Sequence, residues 1–76
     1  MDLLNTLQRL SRLHQLIDAE KTGNPTFFAK RLGVSRATLY RIIEELRSYN
    51  APIEYSRERE TFYYTEQYDP LHLFRR

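Results

Sequence analysis

From Pro25 to Glu44 the chain reads PTFFAKRLGVSRATLYRIIE, and this stretch decides the fold. Two helices joined by a tight turn account for it. The first is short, about Pro25 to Leu32, because proline suits a first helical turn, where its missing N–H is an orphan anyway. Gly33 follows and can stop a helix sharply by taking left-handed dihedrals without a Cβ penalty. Ser35 offers a hydroxyl to the free N–H groups of a second helix beginning at Arg36. In that helix Leu39, Ile42, Ile43 and Leu46 form one apolar stripe of helical period. Ala29, Gly33, Val34, Leu39 and Ile42 stand where two steeply crossing helices touch.

Small, turn and aliphatic residues at these offsets resemble a helix-turn-helix, whose second helix lies in the DNA major groove. The competing arrangement, a plain αα-hairpin, does not require them at all of these positions.

Composition bounds the rest. The 76 residues suffice for one compact domain with one modest core. Cysteine is absent, which excludes a disulfide framework and a thiolate metal site. No apolar run approaches the roughly 18 residues of a membrane span, and the N-terminus lacks the apolar core of a signal peptide. The expected location is a reducing cytoplasm, with no membrane partner. The net charge is only +2, from 12 Lys and Arg against 10 Asp and Glu. Local charge is more informative: Lys30, Arg31, Arg36 and Arg41 occur in a window without an acid. No nucleophile–base pair, carboxylate pair, metal spacing or phosphate-cradling glycine loop appears, so no enzyme, cofactor or metal is expected.

Asp2 to about Glu20 reads as a long helix ending at Lys21-Thr22-Gly23. Leu13, Leu16 and Ile17 are expected to pack on the following helices. Leu3, Leu7, Leu10, His14 and Ile17 form a second stripe with alternating spacings of four and three. That surplus face either covers the wing or tail, or is a self-association seam of coiled-coil type. In the seam His14 reads as an interface histidine rather than a ligand. Asn24 and Thr26 compete as cap of the next helix. Phe28 is expected in the core, while Phe27 is either at its edge or exposed.

Projection of the second motif helix, about residues 36–49, puts Ala37, Arg41, Glu44 and Ser48 opposite its apolar stripe. Arg36, Tyr40 and Arg47 flank them on one side, Thr38 and Glu45 on the other. The N-terminal half of such a helix meets base edges, which singles out Arg36, Ala37, Thr38, Tyr40 and Arg41. Arginine suits bidentate contact with guanine, and Ala37 or the Thr38 methyl suits a thymine methyl. Ser35, Thr38 and the helix-start N–H groups suit phosphate, as does the Tyr40 hydroxyl. A solvated face of mixed charge is the plain alternative.

After Asn50, a candidate left-handed cap, Pro52 blocks further helix. Residues 53–56, IEYS, alternate as a half-buried strand does, RERE at 57–60 is a polar turn, and TFYYT at 61–65 is a second strand. This hairpin must dock on the helices, through Ile53, Tyr55, Phe62 and Tyr64. With LGVSRATLYRIIEEL followed by APIEYSRERETFYY, residues 10 to 65 resemble the winged helix-turn-helix domains of deoxyribonucleoside-repressor-type and biotin-repressor-type bacterial regulators. The resemblance implies sequence-directed binding of double-stranded DNA through the second motif helix, with Arg57 and Arg59 at the wing tip touching backbone or minor groove.

The expected fold is thus α+β and mostly helical, a three-helix winged helix-turn-helix with a two-stranded hairpin over residues 1–65. A tail, 66–76, either packs on the first helix or is disordered. A minimal transcriptional regulator is the expected function. A homodimer is expected, with Leu3, Leu7, Leu10 and His14 at its interface, because two half-sites multiply affinity. The alternative is a winged-helix docking module for a protein partner.

Overall fold

Local capping chemistry sets the helix boundaries in the computed structural model, which describes Leu3 to Tyr68. The chain runs α1 (Leu3–Asp18), α2 (Pro25–Leu32), α3 (Arg36–Ser48), β1 (Ile53–Ser56), β2 (Thr61–Tyr64). Asn24 caps α2, its side chain accepting from the Phe27 N–H at 2.8 Å, and Pro25 opens the helix as expected. Gly33 takes a left-handed φ of 73°. Its N–H reaches the Lys30 carbonyl and the Val34 N–H reaches that of Ala29, so the last turn of α2 closes as a Schellman motif. Ser35 then caps α3 by accepting from the Thr38 N–H at 3.1 Å.

The same closing device recurs at the other helix ends. Glu20 (φ 57°) ends α1, with the Lys21 N–H on the Leu16 carbonyl. Asn50 (φ 72°) ends α3, with the Ala51 N–H on that of Leu46. α1 and α3 thus stop slightly short of the spans anticipated from sequence, while α2 ends at Leu32 as expected.

β1 and β2 pair antiparallel, with Ile53 opposite Tyr64 and Tyr55 opposite Phe62. All four side chains lie on one face of the hairpin. Ile53 and Phe62 are buried, and Tyr55 and Tyr64 are half-buried against the core. That core gathers Leu13 and Ile17 of α1, Phe28, Ala29 and Leu32 of α2, and Leu39 and Ile43 of α3. Phe28 meets Phe62 with ring centroids 5.7 Å apart, so the first motif helix and the wing share one aromatic contact. The architecture is a winged helix-turn-helix of the α+β class.

Phe27 turns the other way. It lies half-exposed over Gly23, where a Cβ would meet the Phe27 ring at 2.5 Å, and Arg31 stacks on its ring. Gly23 also has φ 76°, so this connector position excludes a side chain on two counts.

Two buried polar side chains tie the connector to the wing. The Thr22 N–H donates to Thr61 Oγ1 at 3.1 Å, and the Phe62 N–H donates to Thr22 Oγ1 at 2.9 Å. The two hydroxyl oxygens lie 3.1 Å apart, and the Gly23 and Phe62 carbonyls are within 2.8 Å of them as acceptors. Both threonines are essentially fully buried, so removing one hydroxyl strands the groups that faced it. Of the tail, Tyr68 packs on Tyr64 with centroids 5.2 Å apart, and residues 69–76 lie outside the described residues.

Thr22→Val is expected to destabilise by about 1–3 kcal/mol, the cost of leaving the buried Phe62 N–H without its acceptor. Thr22→Val combined with Thr61→Val should cost less than the sum of the single changes. Urea unfolding of the four proteins measures this coupling.

Candidate nucleic-acid interface

Because Leu39 and Ile43 are buried in the core, the helical period turns the opposite face of α3 to solvent. Arg36, Ala37, Tyr40 and Arg41 are all exposed there. Arg36 lies over the Tyr40 ring, its guanidinium carbon 5.9 Å from the centroid. A guanidinium placed over a ring in this way can still donate hydrogen bonds from its N–H groups. Neither Arg36 nor Arg41 makes an ion pair among the described residues.

Ser35 and Thr38 are joined to each other, Ser35 Oγ to Thr38 Oγ1 at 3.0 Å as well as through the cap. Thr38 is half-buried and, with Arg41 and Arg9, lines an apolar groove of about 740 Å³. Leu10, Leu13, Ile42 and Leu46 supply apolar lining.

Arg47, placed by sequence on the flank of this helix, has a dual role that its position did not reveal. Its Nε donates to the Ile53 carbonyl at 3.1 Å, which fastens the end of α3 to the start of β1. One of its terminal nitrogens meets Glu44 at 2.8 Å. The negative charge of Glu44 is therefore offset by an intramolecular cation.

At the wing, the two arginines are treated differently. Arg59 pairs with Glu20 at the end of α1, and its guanidinium carbon lies 4.8 Å from the Tyr63 centroid. Arg57 is exposed and makes no ion pair among the described residues. The turn itself has no glycine: Glu60 supplies its left-handed residue, with φ 51°.

The second stripe of α1 divides in two. Leu3 is 73% exposed, Leu7 53%, and the adjacent Leu4 61%. Leu10 and His14 are half-buried. His14 Nδ1 is 2.9 Å from the Tyr64 hydroxyl, a link from α1 to the wing of the same chain. Burial, together with nearby Tyr68 and Asp18, holds the Tyr64 hydroxyl strongly toward its protonated form.

The helix-turn-helix (HTH) domain family matches residues 8–65, and the chain belongs to that family. It is a DNA-binding class, not a class of enzymes. No curated protein and no solved structure matches the chain significantly. None of the described helices is long and apolar enough to cross a membrane.

Arg47 tests how the interface is held. Arg47→Met should cost about 1–2 kcal/mol, since a charged donor to a part-buried carbonyl is lost. Glu44→Gln should change stability by less than about 0.5 kcal/mol, because an exposed pair contributes little. Thermal melts of the two variants separate these contributions.

Proposed function

We propose that the protein is a transcriptional regulator that reads double-stranded DNA in the cytoplasm, with α3 in the major groove. The observation that carries this reading is the solvent face of α3. It presents Arg36 and Arg41 without counter-ions among the described residues, while the nearby acid Glu44 is paired. Arg36 and Arg41 read guanine edges, and Ala37 and Thr38 meet thymine methyls. Ser35, Tyr40 and the N–H groups at the start of α3 hold phosphates. Arg57 approaches backbone or minor groove from the wing, and Arg59 joins it by exchanging Glu20 for phosphate.

The active form in this reading is a homodimer. Leu3 and Leu7 supply the apolar surface that one copy buries against another, beside Leu10 and His14. Each such leucine contributes on the order of 1.5–3 kcal/mol when fully buried.

Arg36→Ala and Arg41→Ala should each weaken binding to a selected duplex by about 1–3 kcal/mol, the range for a lost bidentate base contact. Melting temperatures should stay unchanged, since both side chains are exposed. Selection from a random duplex pool at two salt concentrations, followed by fluorescence anisotropy, gives the measurement. Affinity equal to wild type in both variants rejects α3 as the reader.

Leu3→Ser with Leu7→Ser should convert a dimer to a monomer in sedimentation velocity and abolish preference for two-fold symmetric sites. Unaltered sedimentation would show that the stripe is not the seam.

A further inference from the structure

A second basic feature is a cleft of about 200 Å³ between α1 and α2. Arg9, Arg12 and Arg31 line it, with Asn5, Gln8 and Leu32. Among the described residues no acid lines the cleft, and neither ion pair involves any of the three arginines. Three like charges around one small space repel each other unless an anion joins them.

Two of the guanidiniums are held in place by neutral groups. Arg9 Nε donates to the Leu32 carbonyl at 3.2 Å, and an Arg31 terminal nitrogen donates to the Lys21 carbonyl at 2.9 Å. Arg31 is also stacked on Phe27. Carbonyl anchors fix orientation without cancelling charge, and each arginine keeps further N–H groups for a ligand. The C-terminal end of α2 would ordinarily repel an anion. Here its Ala29, Lys30 and Leu32 carbonyls are already occupied, by the Val34 and Gly33 N–H groups and by Arg9. Asn5 and Gln8 add neutral amide donors at the rim. Arg12 is exposed and also lines the cleft.

We propose that this cleft is a phosphate-binding site, the guanidinium forks of Arg9, Arg12 and Arg31 converging on one phosphoryl group. Planar forks match phosphate oxygens bidentately, and charge-assisted bonds of this kind are about twice as strong as neutral ones. The phosphoryl group comes either from the DNA backbone or from a free phosphate compound. The first source rests on the DNA-reading function proposed above, and the second does not.

The test uses the full chain with inorganic pyrophosphate, following arginine Nε–Hε signals by NMR, and compares wild type with Arg12→Gln and Arg12→Glu. Arg12 makes no bond within the described residues, so both variants should keep the wild-type melting temperature. Saturable shifts of Arg9, Arg12 and Arg31 beyond those of the other arginines, weakened about tenfold or more in Arg12→Glu, are the expected result. Anisotropy with a duplex then separates the sources. A lower affinity in both variants, with a salt dependence reduced by about one phosphate contact, assigns the site to DNA backbone. Unchanged duplex affinity alongside the pyrophosphate shifts assigns it to a free phosphate compound. If wild type binds no duplex at any salt, the DNA reading fails while the pyrophosphate titration still decides the cleft. Shifts that are linear and equal across all arginines, with duplex affinity unaltered, overturn the proposal.

Discussion

The paired threonines Thr22 and Thr61 are the constraint on which the rest of the molecule depends. They stand 39 positions apart, one in the connector between α1 and α2, the other at the start of β2. An isolated two-stranded hairpin is marginal in water, and this one has only four residues in each strand. Its apolar face supplies much of the docking energy, but apolar contact is not directional. The hydrogen bonds through Thr22 and Thr61 are directional, and they set where β2 enters the core. Phe62, next in the chain, is thereby delivered against Phe28, and the wing is aligned with the helix-turn-helix.

The parts of this fold that were legible in the sequence are those governed by neighbours along the chain. Asn24-Pro25, Gly33 and Ser35 determine caps and a turn within a few residues of themselves, and the structure places all of them in those roles. The apolar period of α3 was equally local, which is why its exposed face followed directly. The hairpin was recognisable from the alternation of residues 53–56, the polar turn at 57–60 and the β-branched and aromatic residues at 61–65, and Ile53 and Phe62 are buried as expected. What could not be read depends on distant partners. Threonine is commonly a surface residue, so nothing in its type marks Thr22 for burial. Arg47 carries the same ambiguity: a flank arginine on a projected helix gives no sign that its Nε meets the Ile53 carbonyl.

The candidate interface follows the same division. That Arg36, Ala37, Tyr40 and Arg41 share an exposed face was visible from period alone. Their electrostatic setting was not, because the Arg47–Glu44 pair and the Arg59–Glu20 pair depend on rotamers and tertiary approach. The wing turn was recognisable as polar, but its left-handed position falls on Glu60, a residue type with no such preference. In α1, the alternating spacing that grouped Leu3 through His14 as one stripe proved to cover two environments. The helix runs beyond the core at its N-terminal end and meets the wing further along, so exposure changes partway.

Arg47 and the threonine pair together fasten α3 and the wing to the rest of the fold. One fastens the far end of α3 to β1, and the other fastens β2 to the connector that precedes α2. The ordering of these two elements is therefore completed on folding. Association with any ligand that spans both should then show the heat-capacity signature of rigid-body docking, proportional to the contact surface alone. The larger change that accompanies folding upon binding would be absent.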